Sequence, residues 1–199
     1  MTRTGLLGGS FNPAHRGHRR LTVAAMRALA LDEVWWLVSP GNPLKDAAGM
    51  APLAARLASA QAAAAGLPIR VTAIEQALGT RYTVDTLRAL GGRFPRRRFV
   101  WLMGGDNLAQ FHRWRDWRTI ARLAPIAVVA RPTYMMSALA GPAMAWLRRS
   151  KRRTDQARRW TTWRLPALVL LRFRLDATSA TSLRAADPDW ARRFLPPPA

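Results

Sequence analysis

Short apolar runs alternate with segments of helical periodicity along most of the 199-residue chain. Such runs predict buried strands, and the spacing of the apolar residues between them predicts amphipathic helices. Strands that alternate with helices form a mainly parallel sheet with helices on both faces. We therefore predict a Rossmann-like, doubly wound α/β fold with a small C-terminal helical part. The predicted strands are residues 4–7, 33–38, 69–72, 99–103, 126–130 and 168–173, and the main predicted helices are residues 21–30, 51–65 and 83–90.

Composition limits the class of protein. Hydrophobic residues make up 49% of the chain, which is enough for a core, and we assign residues 1–194 to one domain and residues 195–199 to a frayed tail. No apolar run reaches the roughly 18 residues that a membrane span needs, and the first residues do not form a signal-peptide pattern. The chain has no cysteine, which excludes disulfides and thiolate metal sites and fits a cytoplasmic location.

The formal net charge of +21 indicates phosphorylated substrates, nucleic acid or an anionic membrane surface as partners. Only two of the 32 basic residues, Lys45 and Lys151, are lysines, and alanine is abundant, so a GC-rich coding bias is an alternative explanation of the charge. No signature of an RNA- or DNA-binding module is evident, and we expect neither nucleic acid nor a membrane to be the main partner. The basic block Arg148–Arg159 is expected to be a solvated helix or a mobile excursion.

The first predicted strand leads directly into the sequence GGSFNPAHRGH at residues 8–18. Its first two glycines let backbone amides approach a ligand closely. A helix that starts near Gly17 directs its free amides and positive dipole end into the same space. His15 and His18, three residues apart at a helix start, can share one face and donate to one anion. The combination suits a phosphate chain.

Other sites built on paired histidines or glycines fit this stretch less well. A zinc site lacks a third ligand, because the only other histidine is His112 and the chain has neither a cysteine nor an HExxH sequence, so we expect no protein-bound metal. The Walker sequence GxxxxGK[ST] and the dinucleotide fingerprint GxGxxG are both absent. The alternative is that His15 and His18 pack in the core and have no role in binding or catalysis.

The stretch matches the pattern GG[TS]F[DN]P-x-H-x-G-H throughout, and so it resembles the signature of the nicotinate-mononucleotide adenylyltransferase branch of the HxGH nucleotidyltransferase superfamily. Ser10 and Asn12 stand where threonine and aspartate are commoner. The resemblance implies the α/β phosphodiesterase type of nucleotidyltransferase fold. It also implies that His15 and His18 are catalytic and stabilise the phosphates of ATP during adenylyl transfer. The further ATP-binding residues that it implies here are Gly8, Gly9, Ser10 and Phe11.

A second stretch, SATSLR at residues 179–184, opens a predicted helix. Serine and threonine cap helix starts and can bond phosphate oxygens, and arginine is a planar, permanently charged donor. The stretch resembles the superfamily element S-[SA]-T-x-[IL]-R that grips the phosphates of ATP. This implies that Ser179, Thr181 and Arg184 bind ATP, with an ordinary capped helix as the alternative. The two motifs bracket nearly the whole chain.

The sequence RYTVDTL at residues 81–87 resembles the family's helix start S-Y-T-x-[DQ]-T-L, where backbone amides and the threonine bind the carboxylate of nicotinate. The resemblance implies that Tyr82 and Thr83 bind the acceptor, and a helix N-terminus does favour a carboxylate. An ordinary N-cap is the alternative for Thr83. Arg81 replaces the usual serine, and it either adds a positive charge beside the carboxylate or faces solvent.

The resemblance assigns further residues in the same way. Asp106 matches the acid of a G-x-D element that binds ribose hydroxyls of ATP, with a cap for a helix beginning at Asn107 as the alternative. Trp114 is expected to stack on the pyridine ring of the acceptor, with Trp117 packing in the core. Lys45, after the second strand, and Arg131, after the fifth, complete the acceptor-binding set by contacting a phosphate and the nucleotide.

The implied reaction is attack of the 5′-phosphate of nicotinate mononucleotide on the α-phosphate of ATP, which gives deamido-NAD and pyrophosphate. Catalysis then needs positioning and charge stabilisation rather than a general base. Mg²⁺ is expected to bind mainly through ATP. Nicotinamide mononucleotide, phosphopantetheine and a sugar phosphate stay open as acceptors, and a homo-oligomer is compatible with the sequence.

Overall fold

One parallel sheet organises the computed structural model, which describes residues 1–41, 49–130, 139–172 and 179–195. The strands within these ranges are β1 (Thr2–Gly9), β2 (Glu33–Val38), β3 (Ile69–Thr72), β4 (Arg97–Gly104), β5 (Ile126–Ala130), β6 (Lys151–Arg152) and β7 (Leu168–Arg172). They lie in the order β3-β2-β1-β4-β5-β7-β6, and every neighbouring pair is parallel.

Helices flank this sheet and connect its strands, as parallel pairing requires. Those described are α1 (Arg16–Leu29), α2 (Leu53–Ala64), α3 (Ile74–Ala77), α4 (Thr83–Arg93), α5 (Gly105–Gln110), α6 (Trp117–Leu123), α7 (Pro142–Leu147) and α8 (Ala180–Ala186). Short 3₁₀ segments cover Phe111–Arg113, Arg148–Ser150, Thr154–Thr162 and Trp190–Phe194. Within the described ranges, no helix combines the length and the apolar character that crossing a membrane requires.

The order of the strands reverses at β1. The chain first builds outward from β1 through β2 to β3, and then returns to place β4 on the other side of β1. The register sets Leu7 opposite Leu102, which brings the ends of these two strands, Gly9 and Gly104, to the same sheet edge. Ligands of open α/β sheets bind at such a switch point, outside the carboxyl ends of the strands.

Two apolar clusters, one on each face of the sheet, form the core. Successive strand residues point to opposite faces, so Leu6 and Trp35 belong to one cluster while Leu7 and Trp36 belong to the other. Helices α4 to α7 cover the first cluster, and α1, α2 and the Thr154–Thr162 segment cover the second. Burial on both faces explains why the central strands appear as continuous apolar runs rather than alternating ones.

The predicted fold class is confirmed, and the sheet is wholly parallel in the described residues. Each predicted strand coincides with an observed one, but the strand at residue 168 is the seventh, because the two-residue β6 was missed. The block Arg148–Arg159 is largely exposed, as expected, but it is not one helix, since it contains β6 and most of a 3₁₀ segment in which Ala157 is buried. The predicted tail lies outside the described residues from 196 onward.

Candidate active site

A cavity of about 780 Å³ opens at the switch point, where β1 and β4 end. Its volume lies in the range of small-molecule binding sites. Predicted site residues that are far apart in the sequence meet in its wall, namely Gly8, Gly9, Ser10, Phe11, His15, His18, Tyr82, Thr83, Asp106, Trp114, Ser179 and Thr181. Arg184 does not line the cavity but donates to the backbone of Asn12, which does. Lys45 and Arg131 lie outside the described residues.

Backbone donors hold both histidines of the first motif at the start of α1. His15 is the N-cap, and its Nδ1 accepts a hydrogen bond of 3.0 Å from the Gly17 amide. The Nδ1 of His18 accepts one of 3.2 Å from the His15 amide, which closes a reciprocal capping box. A ring nitrogen that accepts carries no proton, so this network assigns the proton of each neutral imidazole to Nε2. Each ring therefore has an Nε2–H donor, and the ring centroids lie 3.9 Å apart.

The turn that precedes these histidines is set by Phe11, which is buried and has a φ of 47°, in the left-handed region. A non-glycine residue in such a conformation costs about 1–3 kcal/mol and persists where the surrounding packing determines it. The Phe11 ring stacks on Trp36 with centroids 5.0 Å apart and lies 4.8 Å from the His18 ring. This aromatic cluster therefore stabilises the turn and supports His18.

Two glycines near the strand ends leave room for side chains beside the cavity. A Cβ at Gly8 would lie 2.8 Å from a ring carbon of Trp101, and a Cβ at Gly104 would collide with the Asp106 carboxylate. Helix α5 has Gly104 as its N-cap, so Asp106 lies inside the first turn. The alternative of a cap for a helix starting at Asn107 was therefore wrong, and the Asp106 carboxylate is a cavity-lining acid.

The start of α4 forms another part of the wall. Tyr82 is the N-cap and Thr83 the first helical residue, and no side chain of the described residues caps the helix, so the N-cap alternative for Thr83 was wrong. The first amides of a helix lack intrahelical partners, which makes this end suitable for a carboxylate. The Arg115 guanidinium lies 4.6 Å from the Tyr82 ring centroid, and Arg81 and Arg113 line the same cavity.

Glu75 is a buried acid in this wall that the sequence analysis missed. Its Oε1 accepts a hydrogen bond of 3.1 Å from the Thr86 hydroxyl, which lies 3.0 Å from the Thr80 hydroxyl. Burial raises the pKa of Glu75 to about 6, and the hydrogen bond from Thr86 opposes this shift. The signal in the sequence is an acid three residues after a strand, at the edge where ligands bind. Glu75 therefore changes charge at mildly acidic pH beside the start of α4.

Two tryptophans of the segment at residues 111–117 have different environments. The ring of Trp114 lines the cavity, and its edge-to-face neighbours are Trp101 and Phe111, with centroids 6.2 and 5.4 Å away. The ring of Trp117 packs against Phe111 and Trp146 instead. The prediction that Trp117 packs against the core is therefore confirmed.

The second motif caps α8 and joins the first motif. The Ser179 hydroxyl accepts a hydrogen bond of 3.1 Å from the Ser182 amide, in a second capping box. Arg184 donates from Nη1 to the Asn12 carbonyl oxygen at 2.6 Å and from Nη2 to the Thr181 hydroxyl at 3.4 Å. Residues that are 172 positions apart in the sequence are thus in direct contact at the cavity.

Comparison with known proteins agrees with this geometry. Residues 6–186 match the cytidylyltransferase-like family. A probable nicotinate-nucleotide adenylyltransferase of Erythrobacter litoralis (strain HTCC2594) is 65% identical over 192 residues, which is 96% of this chain and 88% of the relative. The chain belongs to the nicotinate-nucleotide adenylyltransferase family. A second probable nicotinate-nucleotide adenylyltransferase, from Bradyrhizobium sp. (strain ORS 278), is 49% identical over 94% of this chain and 98% of its own length.

Solved structures share the fold. Nicotinic acid mononucleotide adenylyltransferase of Plasmodium falciparum, complexed with NaAD, has a TM-score of 0.69 at 13% identity and covers 99% of this chain and 92% of its own. The complex of the Plasmodium falciparum protein with APC gives a TM-score of 0.67, also at 13% identity, over 93% and 83% of the two chains. The fold implied by the two motifs is therefore confirmed.

Arg56 in α2 is a further residue whose role the sequence patterns did not reveal. Its side chain is 1% exposed, and burial lowers the pKa of its guanidinium. It donates four hydrogen bonds of 2.7 to 3.2 Å to the carbonyl oxygens of Ser10, Ser39, Pro40 and Ala51. The available signal is its place in an alanine-rich helix, where residues 56, 60 and 64 share the buried face. A charged residue on such a face needs polar partners, and here they are loops beside the cavity.

Proposed function

We propose that this protein transfers the adenylyl group of ATP to the 5′-phosphate of nicotinate mononucleotide, with deamido-NAD and pyrophosphate as products. One observation carries the proposal. The histidine motif, the start of α4 and the second motif, which are separate in the sequence, line a single cavity. Membership of the nicotinate-nucleotide adenylyltransferase family supports the same reaction.

The phosphate end of the cavity is proposed to bind ATP. The acceptor phosphate attacks the α-phosphorus in line, the bond from that phosphorus to the α–β bridging oxygen breaks, and its electron pair leaves with pyrophosphate. The Nε2–H groups of His15 and His18 stabilise the charge that develops on the phosphate oxygens. Ser179, Thr181 and Arg184 hold the β- and γ-phosphates. No general base is needed, because the acceptor phosphate is already an anion at neutral pH.

The start of α4 is proposed to bind the nicotinate carboxylate. The amides at Tyr82 and Thr83 supply donors and the positive end of the helix dipole. The ring of Trp114 provides a face for the cationic pyridine ring, which gains about 1–2 kcal/mol over an indole. Arg81 lines the cavity and adds a positive charge at this end. These features favour an acid over an amide acceptor.

Mg²⁺ is proposed to enter with ATP. Among the described residues, no group of three or more histidine, cysteine or acidic side chains is placed to hold a metal ion. Mg²⁺ commonly takes one or two carboxylates together with substrate phosphates and water, and Asp106 and Glu75 are the acids of the cavity wall. Asp106 is exposed whereas Glu75 is buried, so Asp106 fits such a partial ligand better. The ion would neutralise charge on the phosphates.

Several broader features stay predictions. We propose that nucleic acid and membranes are not the main partners, that the protein works in the cytoplasm where ATP is abundant, and that residues 1–194 form one domain. A homo-oligomer is compatible with the sequence and stays a prediction. Gel filtration with light scattering measures the oligomeric state, and a salt series with single-stranded RNA measures any nucleic-acid binding, which falls steeply with salt where it is electrostatic.

Pyrophosphate release from Mg·ATP tests the proposed reaction, with nicotinate mononucleotide and nicotinamide mononucleotide supplied in parallel. We expect strong release with the acid and weaker release with the amide. His18→Ala should lower kcat by at least about 100-fold, which is about 2.7 kcal/mol of transition-state stabilisation, because it removes a donor to the developing charge.

His112→Ala is the matched control, since His112 does not line the cavity, and it should keep activity within about threefold of wild type. Activity of His18→Ala within that same range contradicts the role of His18. Absence of release with both acceptors removes the substrate assignment and makes phosphopantetheine the next acceptor to measure.

A further inference from the structure

Arg56 joins two loops that line the cavity, one after β1 and one after β2. Its Nη1 donates to the carbonyl oxygens of Ser10 and Ser39 at 2.9 and 2.7 Å, and its Nη2 donates to that of Pro40 at 3.2 Å. Ser10 belongs to the histidine motif after β1, whereas Ser39 and Pro40 directly follow β2. Because a guanidinium is planar and rigid, it sets the spacing between the ends of these neighbouring strands.

Other bonds from the same helix position the rest of the motif. The Nε of Arg56 donates to the Ala51 carbonyl oxygen at 2.9 Å, and the Ala51 amide donates to the Asn12 side chain at 3.1 Å. Ser59, three residues further along α2, accepts a hydrogen bond of 3.0 Å from the Ala14 amide. Helix α2 and the residues just before it therefore hold residues 10–14, the segment between Gly9 and His15. None of the residues of α2 lines the cavity.

The charge of Arg56 has no counter-ion among the described residues, where only carbonyl dipoles face it. A buried charge without a partner of opposite sign is costly. Ser10 and Ser39 line the cavity and accept from Arg56, so the charge lies one hydrogen bond behind the cavity wall. A polyphosphate bound against that wall would bring negative charge toward this guanidinium.

We propose that Arg56 is a positioning residue for adenylyl transfer, which sets the geometry of the two phosphate-end loops and favours a bound polyphosphate through its buried charge. The proposal rests on the proposed function, and it concerns ATP rather than the acceptor. Among the described residues, the proposed acceptor end is built on α4 and Trp114, which belong to the opposite face of the sheet from α2.

Two substitutions separate geometry from charge. Arg56→Lys keeps the charge but cannot reach four carbonyl oxygens, and Arg56→Gln also removes the charge. Below the unfolding midpoint we expect Arg56→Lys to raise the KM for ATP and lower kcat, each by about tenfold, while the KM for nicotinate mononucleotide stays within about twofold. Arg56→Gln should raise the KM for ATP further.

Trp160→Phe is the control for a merely structural effect. It removes a buried hydrogen bond of 3.0 Å to the Leu29 carbonyl oxygen, away from the cavity lining. We expect it to lower the thermal midpoint without changing the ratio of the two KM values. If the Arg56 variants behave in the same way, with both KM values unchanged or changed equally, Arg56 serves only the fold and the proposal is overturned.

Calorimetric titration with inorganic pyrophosphate makes the test independent of the acceptor. The expected order of affinity is wild type, then Arg56→Lys, then Arg56→Gln, and equal affinity for all three overturns the proposal. The three proteins could show this order of affinity while wild type transfers no adenylyl group to nicotinate mononucleotide. In that case the proposed function fails, but the role of Arg56 at a phosphate site stands.

A measurement on wild type covers the case in which both variants fail to fold. In protein enriched with ¹⁵N-arginine, the Nε–H signal of Arg56 should exchange slowly with solvent, because this group is buried and bonded to Ala51. It can be assigned through its proximity to Ser59 and Ala60. Saturation with pyrophosphate should shift this signal, whereas the signal of the exposed Arg88 should not move. An unmoved Arg56 signal overturns the proposal.

Discussion

His15 commits one ring nitrogen to its own helix and has the other assigned as a donor. Serine is a favoured N-cap residue, so His15→Ser retains the helix cap but loses the Nε2–H donor that faces the proposed phosphate site. We expect its thermal midpoint to stay near that of wild type while kcat falls about 100-fold. His15→Ala should lose the same activity and also about 1 kcal/mol of stability. Thermal unfolding and pyrophosphate release of both variants measure the two effects.

Comparing His15→Ser with His15→Ala separates the contribution of His15 to helix capping from its contribution to catalysis. Equal midpoints for His15→Ser and His15→Ala would mean that the cap adds nothing to stability. Full activity in His15→Ser would mean that the Nε2–H donor is not used, and the phosphate role would then rest on His18 and the backbone.

Glu75 should make the protein less stable as the pH rises through the mildly acidic range. Its pKa is about 6 in the folded protein against an ordinary value of 4.5, so between these values the folded state holds a proton that the unfolded chain has released. The stability from this group is therefore greatest below the lower value, and about 2 kcal/mol is lost as the pH rises past the higher one.

Glu75→Gln removes this titration while keeping an oxygen that accepts from Thr86. Urea unfolding of wild type and Glu75→Gln at about pH 5 and pH 8 measures the difference, and the variant should be the more stable one at the higher pH. An identical pH dependence in the two proteins would mean that Glu75 is not the group responsible.

At the scale of elements, the start of α4 should determine how strongly the acid acceptor is preferred over the amide. Arg81 lines the cavity at this helix start, and it stands where the family pattern that RYTVDTL resembles has serine. An exposed arginine beside a carboxylate contributes modestly, so Arg81→Ser should lower the ratio of kcat/KM for nicotinate over nicotinamide mononucleotide by about threefold to tenfold.

The same helix supplies the control for Arg81. Arg88 is exposed, pairs with Asp85 at 3.3 Å and does not line the cavity, so Arg88→Ser should leave the ratio unchanged. If Arg81→Ser leaves it unchanged as well, the helix amides alone account for any acid preference and Arg81 simply faces solvent.

Which elements can be predicted from the sequence depends on where their stabilisation originates. β2 and β5 are runs of apolar residues, and burial on both faces makes such runs visible without any knowledge of their neighbours. β6 is two basic residues that become a strand only by pairing with β7, so no local pattern reveals it. Helix α1 begins at Arg16, one residue before the start near Gly17 that the histidine motif predicts and five before the apolar periodicity begins at residue 21, because the His15 cap rather than an apolar pattern determines the start.

At the scale of the whole molecule, the alternation of strands and helices predicts the fold class but not the order of the strands. The return of the chain at β4 is what brings Asp106 beside the histidine motif, and the sequence indicated that meeting only through the family resemblance. The sequence places Arg56 on the buried face of a helix and Glu75 just after a strand, but it does not assign their roles, because those depend on which loops pack over them. Lys45 and Arg131 stay predictions, since they lie outside the described residues.

The contact between Arg184 and Asn12 has a consequence for the timing of synthesis. A ribosome that adds about 5–20 residues per second needs roughly ten to thirty seconds to cover the 172 positions between them. During that interval the histidine motif has already been synthesised, but the second motif has not, so the contact between them cannot form. A nascent chain therefore carries half of its phosphate site, and a product that stops before Ser179 should be unable to consume ATP wastefully.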